Sequence, residues 1–197
     1  KLPLDPVVNN QTRIWGIVDR SSPSNVLALR TDGDGNCLVH ALCLAMFGSH
    51  DRNSYLREQL TTLLNSSDVA PLLEEAWQQD AIEQDLVLRS QGIEIQRTRS
   101  EIAKEYNTQL MIAGCDREYL GSFHIFALAH VLRRAIIVYS DKYTRGAQNS
   151  QLGFNDIGGV FLPLALEPKY CSSVPLALVF MSGEGGIGGH FVPLVSF

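Results

Sequence analysis

Two residues far apart in the chain have the types and settings of a nucleophile and its base. Cys37 follows the turn-rich stretch Thr31-Asp-Gly-Asp-Gly-Asn36 and precedes Leu38, Val39, Ala41, Leu42, Ala45 and Met46. Glycines and Asx residues followed by apolar residues at helical spacing predict a tight loop feeding a mostly buried helix, with Cys37 in its first turn. There the unpaired backbone N–H groups and the positive end of the helix dipole favour a thiolate. His190 follows Gly183-Glu-Gly-Gly-Ile-Gly-Gly189 and heads the run Phe191-Val-Pro-Leu-Val195, which reads as a strand. A histidine at the mouth of a sheet, brought by the fold to such a cysteine, would take the thiol proton, pair with the thiolate and return the proton to a leaving amine. Asp34, Gly35 and Asn36 complete the picture as a loop whose N–H groups could hold an oxyanion, because its glycines admit a carbonyl closely.

Plainer readings of the same residues stay open at this level. Cys37 could be an inert core thiol, since free cysteine is among the most buried residue types. His190 could simply cap its strand, and His124 and His130 fit satisfied core histidines better than catalytic groups. Asp32, Asp34 and Asn36 alternate as in a calcium loop, but Cys37 stands where glycine is required and Cys43 where a bidentate Glu is required. Cys37, His40 and Cys43 offer zinc only one helix face of ligands. No metal and no cofactor is therefore expected.

The elements that must position these groups divide along the chain. Helices are predicted from Cys37, from about Asn53 through Leu56, Leu60, Leu63 and Leu64, over Ala70–Leu88, over Glu101–Ala113, and over Phe123–Leu132 with Ser122 as N-cap. Strands are predicted at Val26–Leu29, Ala135–Tyr139, Gly159–Leu162, Pro175–Phe180 and Phe191–Val195, with a further extended piece at Arg13–Asp19 that includes Trp15. Helices crowd the first two thirds and strands the last, which predicts an α+β domain: a helical half packed against a sheet, with the Cys37 helix at the junction. The 197 residues, 45% hydrophobic and 19% charged, suit one substantial core, so residues 1–197 are read as a single domain.

A net charge of −5 and the absence of basic runs argue against nucleic acid as a partner. The longest apolar runs are too short for a membrane span, so no membrane association is expected. Four cysteines without paired spacing suit a reduced, cytoplasmic protein. The chain opens at Lys1 without a methionine and is expected to be an excised domain.

Asp32-Gly-Asp-Gly-Asn-Cys-Leu-Val-His-Ala41 resembles the cysteine box of the ovarian-tumour (OTU) deubiquitinases, and Gly189-His-Phe-Val-Pro-Leu-Val195 resembles their histidine box. Phe123–Tyr139 and Gly158–Leu164 continue the likeness, which is closest to the subfamily of Cezanne, Trabid and tumour necrosis factor alpha-induced protein 3. The resemblance runs from about Val26 to the C-terminus, with Ser66–Gly121 as its variable part. It implies a papain-like cysteine isopeptidase acting on ubiquitin and polyubiquitin, or, with catalysis weakened, a ubiquitin-binding domain. One departure matters. Many OTU members orient the imidazole with an Asp or Asn two residues after the histidine, where this chain has Val192. The orienting group is then expected upstream, with Asp5 and Asp19 ahead of Thr31, and Asp34 is expected to shape its loop.

Overall fold

The computed structural model describes residues 4, 5, 8, 26–140, 157–182 and 189–196. The expected extended piece Arg13–Asp19, with Trp15 and Asp19, lies outside the described residues, as does most of the glycine stretch before His190. Within them, β1 (Val26–Ala28) leads to α1 (Cys37–Phe47), α2 (Tyr55–Leu64), α3 (Ala70–Ser90), α4 (Arg99–Gly114) and α5 (Ser122–Leu132). The chain then enters β2 (Arg134–Ser140), β3 (Gly159–Phe161), β4 (Ser172–Ser182) and β5 (Gly189–Ser196).

The strands form one mixed sheet in the order β1-β5-β4-β2-β3. β5 runs antiparallel between β1 and β4, β3 is antiparallel to β2, and β2 and β4 are parallel. α1 is nearly apolar and lies against the sheet chiefly on β5, which brings its N-terminus to the head of the strand that starts at Gly189. Alternation along the strands then sorts side chains onto two faces. Leu178, Phe180 and Phe191 join the main core with Leu38, Leu42, Leu60, Phe123 and Leu128. Val179, Val192 and Leu194 face the other way and pack with Val8 and Ala28.

Two local details differ from expectation. Ser122 is the first helical residue of α5 and Gly121 is the N-cap. The capping is done by His124, whose Nδ1 accepts the Gly121 N–H at 3.1 Å while its Nε2–H donates to the Gln109 carbonyl at 3.0 Å. His130 is likewise satisfied, donating from Nδ1 to the Phe126 carbonyl and accepting the Ala165 N–H at Nε2. Both histidines are buried.

Candidate active site

Cys37 is the first residue of α1, where its own N–H lacks an intrahelical acceptor. The thiol is 2% exposed. Burial pushes its pKa up, and Asp34 adds to the rise, while backbone N–H groups of Phe191 and Leu38 directed at the sulfur pull the other way without prevailing. The low thiolate pKa expected from a helix N-terminus is thus overridden by desolvation in the resting structure.

The loop before Cys37 is shaped by its own polar groups. Asp34 Oδ1 accepts the Asn36 N–H at 3.0 Å, and its Oδ2 lies 3.3 Å from His40 Nε2. His40 Nδ1 accepts the Asp51 N–H at 3.1 Å, so the ring proton is on Nε2 and is donated to Asp34. Asp51 Oδ2 in turn accepts the Leu56 N–H and caps α2. Burial opposes the Asp34 charge, yet the Asn36 N–H and His40 together hold its carboxyl below the usual range. The Asn36 N–H is thus committed to Asp34 and is not offered to an incoming oxygen.

On the other side of the site, Thr31 fixes the imidazole. Its hydroxyl donates to the Phe191 carbonyl at 2.5 Å. A hydroxyl has one hydrogen, so in the 2.6 Å contact between Thr31 Oγ1 and His190 Nε2 the ring is the donor. The lone pair is therefore on Nδ1. A methyl group at Gly33 would lie 3.9 Å from Nδ1 and Cε1, which places that edge of the ring against the cysteine loop. Burial lowers the His190 pKa, the Asp5 charge and the backbone of Thr31 oppose this, and Arg30 reinforces it.

Asp5 reaches the site through backbone ties. Its N–H donates to the Ala28 carbonyl at 3.0 Å, Leu4 bridges Leu29, and its Oδ1 accepts the Val8 N–H. Val192, on the His190 face of β5, is filled by the packing of Val8, Ala28 and Val179, so no polar group could serve the ring from that position. The structure therefore directs the Phe191 N–H at the Cys37 sulfur, sets the neighbouring His190 ring on Thr31 and against Gly33 of the loop that holds Asp34, Gly35 and Asn36, and places Asp5 where its charge acts on His190. No hydrogen bond joins the Cys37 thiol to the imidazole among the described residues.

Sequence reasoning did not find Arg57, which is 3% exposed and donates from Nε to Asn36 Oδ1 at 3.1 Å. The signal was its spacing, three before Leu60 and seven before Leu64, on the buried face of α2. Nor did it find Asp116 and Arg117, which also bond the Asn36 side chain.

Residues 32–191 match the family described as OTU-like cysteine protease. Tumor necrosis factor alpha-induced protein 3 of Mus musculus is 33% identical over 177 residues, covering 87% of this chain and 22% of that protein. Ubiquitin thioesterase trabid of Drosophila melanogaster is 31% identical over 172 residues, covering 87% of this chain and 20% of that protein. The chain spans about a fifth of the length of these curated relatives. The solved viral OTU domain protease from Farallon virus aligns with a TM-score of 0.47 at 14% identity, over 90% of this chain and 96% of that one, a likeness too loose to bear on any residue here. On the extent of the family match and the identity to these relatives, the chain belongs to the OTU-like cysteine protease family.

Proposed function

We propose that residues 1–197 form a single catalytic domain that cleaves ubiquitin from lysine side chains or from polyubiquitin, with Cys37 as nucleophile and His190 as base. The observation that carries the reading is the tautomer of His190. Its Nε2–H is spent on Thr31, and its basic Nδ1 edge is turned toward the loop that ends in Cys37. The name of the Drosophila relative, a ubiquitin thioesterase, supports the choice of ubiquitin as substrate. Four free cysteines suit a reducing, cytoplasmic setting.

In the reaction, Nδ1 takes the Cys37 proton and the thiolate attacks the C-terminal carbonyl of ubiquitin. The carbonyl oxygen becomes an oxyanion facing the Gly35 and Cys37 N–H groups. Collapse of this intermediate breaks the C–N bond, and the imidazolium gives its proton to the departing lysine amine. Water, deprotonated by Nδ1, then attacks the thioester, and the thiol leaves with the proton returned to sulfur.

A second reading, a ubiquitin-binding domain with weak catalysis, draws on the raised thiol pKa and the missing Cys37–His190 hydrogen bond in the resting structure. One experiment separates the two. Ubiquitin carrying a C-terminal thiol-reactive warhead should form a covalent adduct with the wild-type chain and none with Cys37→Ala, which should still bind ubiquitin. Binding by the wild type without adduct formation would favour the second reading, and an adduct on Cys37→Ala would assign the nucleophile elsewhere.

A further inference from the structure

We propose that Arg57 is a positioning residue for the reaction: it ties the Gly35–Asn36–Cys37 backbone to the turn between α4 and α5. This rests on the isopeptidase reading above. A buried guanidinium is costly unless its donors are satisfied. Arg57 makes no ion pair among the described residues, and its partners are oxygens of the chain. Besides Asn36 Oδ1, Nη1 reaches the carbonyls of Ile112 at 3.1 Å, Ala113 at 3.3 Å and Cys115 at 2.6 Å, and Nη2 reaches that of Glu118 at 2.8 Å. The fork thereby collects the loose carbonyls at the C-terminal end of α4 and holds the following turn in one shape.

Asn36 is the other half of the link. An asparagine at an N-cap ordinarily turns its side-chain oxygen onto the N–H groups of the first helical turn. Asn36 makes no such cap. Its Oδ1 accepts from Arg57 and from the Arg117 N–H at 3.3 Å, and its Nδ2 donates to Asp116 Oδ1 at 2.9 Å. The neighbouring Gly35, at φ +88°, has a Cβ position only 1.9 Å from the Arg117 carbonyl oxygen. Two consecutive residues before the nucleophile are thus registered against residues 115–118, and Arg57 spans both sides of the contact. Stabilising α1 needs only a capped helix. This arrangement gives up the cap and fixes the backbone donors and the sulfur relative to a distant turn.

The test is steady-state cleavage of ubiquitin linked at its C-terminus to a fluorogenic amine. Arg57→Lys keeps the charge and loses the fork and the Nε donor. Measured on folded protein below its unfolding temperature, kcat should fall about tenfold or more, with KM unchanged within about twofold. The pH profile of Cys37 alkylation by iodoacetamide should overlay that of the wild type, because Arg57 is not among the groups acting on the thiol. An unchanged kcat, or a change in KM alone, would overturn the proposal.

Should Arg57→Lys fail to fold, a reciprocal exchange at the exposed end of the link decides. Asn36→Asp sets two carboxylates against each other and should cost about tenfold in kcat, and adding Asp116→Asn should restore the rate to within about threefold, since donor and acceptor then simply change places. A fully active Asn36→Asp, or a double variant no better than the single, would refute the link. An inactive wild type would instead bring down the isopeptidase reading, an outcome distinct from active variants of an active wild type.

Discussion

The loop that carries Cys37 is tied down on two sides, by Asp34 and His40 toward α2 and by Asn36 toward Arg57 and the α4–α5 turn. The imidazole of His190, by contrast, is held among the described residues by the Thr31 hydroxyl and lies in the fields of Asp5 and Arg30. Asp5 and Thr31 come from segments that are themselves anchored to the sheet edge, so the proposed base is oriented by the sheet and the proposed nucleophile by the helices. The difference teaches that the two halves have different tasks. On the proposed mechanism, the nucleophile side must present oxyanion donors at fixed points, whereas the base side must hold a tautomer and leave one ring edge free to approach a buried thiol.

The most severe way to break this comparison is to remove the base outright. His190→Ala should lower kcat/KM by about a thousandfold, as loss of a member of such a constellation does. It should also alter the pH profile of Cys37 alkylation, and identical profiles would show that the two residues do not communicate. Next comes the rigid side. Gly35→Ala places a methyl on the Arg117 carbonyl at a φ that L residues rarely adopt. It should cost about 1–3 kcal/mol of stability in urea unfolding, and more than about tenfold in rate per folded molecule. Full activity would mean that the α4–α5 turn can give way freely.

Smaller effects sharpen the comparison on the base side. Thr31→Val removes the acceptor for Nε2–H and should cost about tenfold in kcat, the worth of one neutral hydrogen bond. Asp5→Asn should cost less in rate and show chiefly in the pH profile. The Asp5 charge raises the His190 pKa, so removing it lowers that pKa and moves the acid limb of kcat/KM to lower pH. Movement to higher pH would exclude a charge acting on the ring.

The smallest effect on catalysis is expected at His124, whose hydrogen bonds go to Gly121 and Gln109. Burial lowers its pKa to about 4. The unfolded chain binds the proton more readily, so the stabilisation is full above the ordinary histidine pKa and is lost as pH falls from about 6.5 through about 4. Urea midpoints should decline across that window, and His124→Gln should flatten the decline. An identical slope in the variant would place the acid sensitivity elsewhere.

The cysteine side and the head of β5 were legible in the sequence because their signals are local: turn residues before an apolar helix, and a histidine opening a strand. The helix and strand boundaries followed from periodicity for the same reason. What escaped depends on contacts between distant segments. Thr31 stands third among the candidate orienting residues, and its bond to Nε2 follows from the register of β5 beside the segment after β1, which the sequence does not announce. Arg57 resembles any charged helix residue until the end of α4 closes over it. The thiol pKa depends on burial and on the backbone N–H of Phe191, a residue 154 positions away by number. The parallel pairing of β2 with β4 is likewise a matter of topology, which alternation alone does not specify.

The place of β5 in the sheet also sets when the protein can act. Val26 pairs with Ser196 and Ala28 with Leu194, so β5 is inserted between two strands made before it instead of being added at an edge. Contacts of such sequence separation form late, after the entropy of closing the intervening chain has been met. Cys37 can reach its helix early in synthesis, but His190, its proposed base, arrives only with β5. On the proposed mechanism, a nascent chain carries a cysteine without a partner and stays inactive until its sheet is closed.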